Sequence, residues 1–339
     1  MHRAIELAQH GAGYTAPNPL VGAVLVHNDY VIGEGWHQRY GQAHAEVNCI
    51  NDAIAKGNGH LLSASTLYVT LEPCAHFGKT PPCADLIIRH HIPFVYIGCR
   101  DPFPLVDGKG IEKLQQAGIQ TNILLEKECR ELNKRFFCFH EKKRPYIILK
   151  WARTADNIIG VPGQRLLISN SLTNQLVHRW RSAEAAILVG TKTAAADDPQ
   201  LTNRSGSGPN PIRIVIDNQL QLPPHLHLFD RSVPTLVFNQ LKESLENNLQ
   251  YLQYDGTRPL LPQLCSRLYE MGIPSLLVEG GTQTLQAFID TGYWDEALVI
   301  TNTGMQAGTG INGPQLSGAV AVHSQRLDTD EICYYRPEA

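Results

Sequence analysis

His44, Glu46, Cys74 and Cys83 are the residues whose types and spacing could do chemistry. One imidazole and two thiolates suit Zn²⁺, and three protein ligands leave its fourth tetrahedral position to water, the catalytic rather than the structural arrangement. A zinc ion held this way lowers the pKa of its water to about 7. Glu46, two residues from His44, could take that water's proton and deliver it to a ring nitrogen and then to a leaving amine. The reaction this describes is hydrolytic loss of ammonia from an amine-bearing ring carbon. A structural zinc site, or two core cysteines beside a surface histidine, is the competing reading. The joint pattern, with each piece at the end of a predicted element, favours catalysis.

The positioning elements can be read from periodicity. In a regular helix residues i and i+2 point apart, so His44 and Glu46 share a site only at a first turn seen end on. Val47, Ile50 and Ile54 line one face of a predicted helix over 44–56, which Gly57 ends. Cys74 follows a predicted strand over 66–71. Cys83 begins a predicted helix over 84–91, where the helix dipole favours thiolate. Before these come a helix over 2–10 and strands over 20–26 and 31–36, paired around His27-Asn28-Asp29. After them come a strand over 94–99, a helix over 112–117, a strand over 119–125 and a helix over 126–140. This reads as a sheet with helices on both faces.

Lys142-Lys143-Arg144 and Pro145 mark a boundary between residues 1–144 and 145–339, and the α/β pattern then restarts. Strands are predicted over 146–151, 186–190, 212–217, 234–238, 275–279 and 297–301. Helices are predicted over 171–182, 260–271 and 282–291, and Ser205-Gly206-Ser207-Gly208-Pro209 reads as a loop. Val278-Glu279-Gly280-Gly281-Thr282 runs from strand through a glycine pair into helix, a start that favours an anionic phosphate, though a plain tight turn accounts for it equally well. Gly308-Thr309-Gly310-Ile311-Asn312-Gly313 fits G-x-G-x-x-G, but Pro314 follows and no βαβ unit has room after it, so a dinucleotide-binding reading is rejected.

The 339 residues suit two domains, and 43% hydrophobic with 18% charged residues is ordinary for a soluble enzyme. Residues 1–144 hold 15 Lys+Arg against 14 Asp+Glu, and 145–339 hold 14 against 18, so neither half has the positive excess that nucleic acid favours. No apolar run approaches the roughly 18 residues of a membrane helix. No secretory signal is visible, and eight scattered cysteines fit a reducing cytoplasm better than a disulfide framework. A homo-oligomer is left open.

H-x-E…P-C…C is the general signature of zinc-dependent base deaminases, usually with two residues between the cysteines. Here eight separate them, in Cys74-Ala75-His76-Phe77-Gly78-Lys79-Thr80-Pro81-Pro82-Cys83. That loop resembles the bifunctional riboflavin-biosynthesis deaminase/reductase family. So do Pro17-Asn18-Pro19-Leu20-Val21-Gly22, Gly33-Glu34-Gly35-Trp36-His37, Gly41-Gln42-Ala43-His44-Ala45-Glu46, Lys150, Thr154, Asp156, Ala196-Asp197-Asp198-Pro199 and Val278-Glu279-Gly280-Gly281. The resemblance spans nearly the whole chain. It implies a cytidine-deaminase-like α/β/α sandwich followed by a dihydrofolate-reductase-like α/β domain. The first would remove the 2-amino group of 2,5-diamino-6-ribosylamino-4(3H)-pyrimidinone 5′-phosphate with one zinc per chain. The second would use NADPH to reduce the ribosyl group to ribityl, hydride going to C1′. A nucleoside or tRNA deaminase with an unrelated or inactive second domain is the alternative.

By the same resemblance, Glu46 is catalytic and His44, Cys74 and Cys83 hold the metal. Asn18, His37, His76, Lys79, Thr80 and Asp101 would line the deaminase pocket. Lys150, Arg165, Arg181, Leu201, Arg204 and Glu279 would meet the reductase substrate, the arginines suiting its phosphate. Ala152, Leu167, Thr193, Asp197, Gly281 and Thr282 would meet the cofactor. Buried Lys150 needs a partner, for which Asp197 is a candidate. Three positions depart from the family pattern: Phe103 replaces Asn, Asn157 replaces Gly, and Leu167 stands where many members carry Trp.

Overall fold

The computed structural model describes residues 1–76, 81–103, 106–164, 166–204 and 208–338. It divides into two units, Met1–Lys143 and Arg144–Ala339. The first unit contains α1 (His2–Gln9), β1 (Gly22–His27), β2 (Tyr30–Trp36), α2 (Ala45–Ala55), β3 (Thr66–Leu71) and α3 (Cys83–Arg89). It continues with β4 (Phe94–Cys99), α4 (Lys109–Gln116), β5 (Gln120–Ile123), α5 (Glu126–Leu132) and α6 (Lys134–Lys142). Its sheet has the order β2-β1-β3-β4-β5. β1 lies antiparallel to β2 and β3, and β3, β4 and β5 run parallel.

Side chains alternate across a strand, so each face of the sheet needs its own cover. Ala23 and Leu25 join Ala45, Cys49, Ile50, Ala84, Ile87 and Leu114 from α2, α3 and α4. Val24, between them, packs on Ala4 and Leu7 of α1. Leu71 and Cys99 meet Cys129, Phe136 and Phe137 of α5 and α6. The result is the α/β/α sandwich expected. Asn28 and Asp29 both take positive φ, 46° and 66°, which suits the two-residue hairpin between β1 and β2. The helix expected over 126–140 is instead two helices. Asn133 sits between them and turns its side chain to Leu20, accepting from its N–H at 2.8 Å and donating to its carbonyl at 2.9 Å.

The second unit contains β6 (Tyr146–Thr154), β7 (Ile158–Gly160), α7 (Ser171–Ala183), β8 (Ala186–Gly190), α8 (Thr191–Asp197), β9 (Ile212–Ile216), β10 (Thr235–Asn239) and β11 (Ser244–Glu246). Then come β12 (Leu249–Gln253), α9 (Leu260–Glu270), β13 (Ser275–Val278), α10 (Thr282–Asp290), β14 (Glu296–Asn302), β15 (Ile311–Asn312), β16 (Ala319–Leu327) and β17 (Asp330–Pro337). Ten strands form one sheet in the order β11-β12-β10-β9-β8-β13-β6-β14-β17-β16. From β12 to β14 every neighbour is parallel, and the strands beyond them are antiparallel. Every residue of β8 and β13 is buried, as central parallel strands require. Leu261, Leu264, Leu268, Leu285 and Phe288 of α9 and α10 cover one face, and Val177 of α7 packs with Ile300 and Ile332 on another cluster.

β6 runs three residues past its expected end, so Lys150 lies inside the strand rather than at its tip. The glycine-rich segment over 308–313 enters no helix; Ile311 and Asn312 pair antiparallel with β7. Asn157 takes φ 64°, a left-handed backbone that asparagine tolerates. Among the described residues no helix is long and apolar enough to cross a membrane.

Candidate functional site

His44 is the residue before α2, with extended backbone (ψ 166°), and Glu46 lies in the helix's first turn. This end-on arrangement lets two residues of i, i+2 spacing address one point. Cys74 comes three residues after β3, and Cys83 opens α3. The His44 Nδ1 lies 3.7 Å from Cys74 Sγ and 3.3 Å from Cys83 Sγ. All three ligand atoms fall within 4.8 Å of one another, and among the described residues they form the one such group. Ligands of a tetrahedral zinc, at about 2.3 Å for sulfur and 2.0–2.1 Å for nitrogen, stand roughly 3.5–3.8 Å apart. The observed separations match, and the donor set is one Zn²⁺ favours, so the residues fit the metal.

Electrostatics distinguish the two sulfurs. The backbone N–H of Cys83 donates to Cys74 Sγ at 3.3 Å. Hydrogen bonding from Cys83 and His44 holds the Cys74 thiol down to about 4 against its burial. The Cys83 thiol is pushed up, by its bond to Cys74 and by burial. Without metal the two sulfurs share one proton, with Cys74 the more acidic of the pair; bound zinc takes both as thiolates. His44 is raised to about 9, mainly by Cys74. Burial pushes the Glu46 carboxyl up to about 7, while the His44 charge opposes it. Glu46 is 3% exposed and reaches the Cys83 thiol.

His37 follows β2, buried and with its ring edge-on to His44 at 5.5 Å between centroids. Its Nδ1 donates to the Ala43 carbonyl at 3.1 Å, and its Nε2 accepts from the Asn18 amide at 3.2 Å. A carbonyl only accepts and an NH₂ only donates, so this imidazole is neutral in a single tautomer. Burial, which lowers its pKa, agrees. His76 Nδ1 is buried without a hydrogen-bond partner among the described residues, and its ring lies 6.1 Å from that of Phe103. Asp101 accepts the N–H of Phe103 at 2.8 Å, and burial pushes its carboxyl up to about 7. Asn18, His37 and His44 are thus brought together, as are His76, Phe103 and Asp101. Lys79 and Thr80 lie outside the described residues. Glu72, which sequence reasoning passed over, is buried two residues before Cys74; a charged residue closing an apolar strand was the available signal.

In the second unit Glu279 follows β13 and is gripped by two cations. Arg181, in the last turn of α7, donates through Nε at 2.9 Å and Nη2 at 2.7 Å, and Lys150 Nζ lies 3.1 Å away. Burial alone would raise the Glu279 carboxyl, but Arg181 and Lys150 hold it well below the usual carboxylate range. Burial lowers the Lys150 pKa, against the pull of Glu279. The partner of Lys150 is therefore Glu279 and not Asp197, which is exposed at the end of α8. The Arg181 fork, expected to clasp a phosphate, is occupied by Glu279, and its Nη1 donates to the Thr202 carbonyl at 3.3 Å. Two cations around one carboxylate leave the cluster one positive charge. Leu201, buried with φ 54°, lies beside this contact.

Ala152 packs with the cluster around Val177 of α7. Gly281 precedes α10, whose start has no side-chain cap, and a Cβ there would lie 2.8 Å from Thr193 Oγ1. Thr193 and Gly281 are therefore neighbours. The Thr282 hydroxyl bonds the Asn312 carbonyl. Arg204 donates through its backbone N–H to His178 Nδ1 at 3.3 Å and through Nη1 to Gln200 at 3.2 Å, and Arg181 and Glu279 act on the same histidine; Leu167 is 73% exposed. Arg165 lies outside the described residues.

Two family profiles match the chain. "Cytidine and deoxycytidylate deaminase zinc-binding region" covers residues 1–99, and "RibD C-terminal domain" covers 145–329. The riboflavin biosynthesis protein RibD of Aquifex aeolicus is 41% identical over 308 residues, 88% of this chain and 85% of that protein. The Escherichia coli protein of the same name is 35% identical over 319 residues, covering 88% and 85%. A solved diaminohydroxyphosphoribosylaminopyrimidine deaminase/5-amino-6-(5-phosphoribosylamino)uracil reductase from Thermotoga maritima superposes with TM-score 0.91 at 36% identity, over 99% of this chain and 97% of that one. Acinetobacter baumannii RibD superposes with TM-score 0.89 at 30% identity, over 100% and 98%. A nucleoside or tRNA deaminase with an unrelated second domain is not favoured by these matches. The chain belongs to the RibD family of riboflavin-biosynthesis enzymes and carries both of its domains, a zinc-binding deaminase and a reductase.

Proposed function

We propose that residues 1–144 hydrolyse the 2-amino group from 2,5-diamino-6-ribosylamino-4(3H)-pyrimidinone 5′-phosphate with one Zn²⁺ per chain. Residues 145–339 then use NADPH to reduce the ribosyl group to ribityl. The convergence of His44, Cys74 and Cys83 beside buried Glu46 carries this reading. When bound, zinc supplies a Lewis acid that lowers the pKa of water to about 7. Glu46 moves the protons: its carboxylate takes one from water and gives it to the ring nitrogen, then takes the second from the hydroxyl added to the ring carbon and gives it to the departing amine, which leaves as ammonia. A carboxyl buried beside the metal ligands can act first as base and then as acid. Neutral His37 holds Asn18 toward the ring or its ribose, and His76 Nδ1 offers an unused polar group. Asp101, Lys79 and Thr80 complete the pocket.

In the reductase, bound NADPH supplies the hydride for C1′. Lys150 and Glu279 orient the sugar, Arg181 fixes Glu279, and Arg165, Leu201 and Arg204 border the substrate. The uncapped start of α10 at Gly281 and Thr282 receives cofactor phosphate, with Thr193, Asp197, Ala152 and Leu167 around the rest. None of the eight cysteines forms a disulfide, which fits a cytoplasmic enzyme. A homo-oligomer fits the sheet's edge strand β16, where Val320 and Val322 are exposed; light scattering tests it. No nucleic acid is a partner in this reading.

Glu46→Gln tests the first step. Zinc content should stay at the parent's value while ammonia release falls by about 10²–10⁴-fold. Reduction of the deaminated intermediate should continue. Unchanged ammonia release would refute the proton-transfer role.

A further inference from the structure

We propose that Glu72 is the positioning residue of the deaminase pocket, a single carboxylate that fixes the Asp101–Phe103 segment and the start of α4 against the strand end carrying Cys74. The proposal rests on the reading that Asp101 borders the substrate. Glu72 is 3% exposed and continues β3, its own N–H donating to the Cys99 carbonyl at 3.0 Å. Its side chain accepts four backbone N–H groups. Oε2 takes those of Asp101 at 3.2 Å and Gly108 at 3.0 Å. Oε1 takes those of Gly110 at 2.9 Å and Ile111 at 3.2 Å.

Three of these donors, the N–H groups of Gly108, Gly110 and Ile111, are ones α4 cannot satisfy itself. Gly108 precedes the helix with φ 85° and offers no side-chain cap. The first N–H groups of any helix lack internal partners and carry its positive end. A buried carboxylate is costly unless hydrogen-bonded, so each feature answers the other. A Cβ on Gly110 would run into the Pro73 carbonyl and come within 3.1 Å of Glu72 Cγ. The helix start is therefore seated directly on Glu72-Pro73, the two residues before metal ligand Cys74. With both oxygens used, this helix start is closed to an anionic ligand. Beyond Asp101, Phe103 packs its ring 5.3 Å from His140 and 6.1 Å from His76. One side chain thus connects the metal-ligand strand to the opposite pocket wall.

An amide at this position accepts with one atom only and turns a second donor toward two N–H groups. In the full-length chain, Glu72→Gln should raise KM for the pyrimidine phosphate about tenfold, the scale of one or two buried hydrogen bonds. The kcat should stay within about threefold, because the metal ligands and Glu46 are untouched. Zinc content and reductase turnover should match the parent. Amide hydrogen exchange at Asp101, Gly108, Gly110 and Ile111 should accelerate while α2 and α3 keep their protection. Glu72→Asp, one methylene shorter, should fall between. Loss of zinc, or a fall in kcat at constant KM, would overturn the proposal in favour of a metal-supporting or chemical role. Asp101→Asn separates the two readings. If it raises KM and Glu72→Gln does not, the Glu72 assignment alone fails. If neither raises KM, the assignment of Asp101 to the pocket fails with it.

Discussion

Asn18 and His37 show how one hydrogen bond sets a charge. The Asn18 amide donates to His37 Nε2, so the buried ring has no reason to carry a second proton. Asn18→Asp replaces that donor with an anionic acceptor of nearly the same shape. His37 should then become imidazolium, donating at both nitrogens, and its pKa should climb from below 6.5 to above it. Histidine ring NMR reads this directly; an unshifted His37 would mean that Asn18 does not control its tautomer. The individual residues of the zinc site were legible in the sequence because metal chemistry restricts ligand type and spacing. His44, Glu46, Cys74 and Cys83 could be named before any fold. The partner of Lys150 could not be. Glu279 lies 129 positions away, just past the end of a neighbouring strand, and only the sheet order brings them together. Glu72 left one signal, a charge closing an apolar strand, but its partners are backbone N–H groups, which leave no trace in residue type.

Elements deliver these residues through close backbone approach. β2 presents Gly33 and Gly35 to α2, and a Cβ on Gly35 would strike the backbone of Cys49 and lie 2.7 Å from the Ala45 carbonyl. Asn48 of α2 donates to the Trp36 carbonyl at 2.8 Å, tightening the same seam. Gly35→Ala must push α2 outward by its first turn, where Glu46 sits beside His44. The expected cost is about 1–3 kcal/mol, as for other overpacked cores. Zinc affinity and deamination should fall together while reductase turnover is kept; wild-type deamination would show that the helix can shift without moving the site. Elements with an apolar face and clear punctuation, such as β3 and β4, were readable from the chain. α8 was not, because Thr191–Asp197 buries only Ala194 and shows no stripe. β16 was not, because an exposed edge strand needs no alternation and draws its pairing from β17.

At the scale of the whole chain, the two units place buried carboxylates in opposite electrostatic situations. Asp101 is raised to about 7, first by burial, with Glu72 and Cys74 adding to it. Against an unfolded value of about 3.9, its contribution to stability is complete below that pH and is lost as pH rises through 7. Glu279 is depressed by Arg181 and Lys150, so its contribution is present above about 4.3 and is lost as pH falls toward its folded value. Each group lies in a unit with its own core. Scanning calorimetry of the full chain should therefore separate them. Between pH 7.5 and pH 5, the parent should gain stability relative to Asp101→Asn, because the variant cannot take up the proton that burial favours. Over the same range, the gap between the parent and Glu279→Gln should stay flat at about 3–5 kcal/mol, since removing Glu279 leaves two cations buried without their anion. That gap should begin to close only below about pH 4.3, where the unfolded chain takes up a proton that the folded Glu279 refuses. Equal pH dependence for the two gaps would contradict the opposite signs assigned to Asp101 and Glu279.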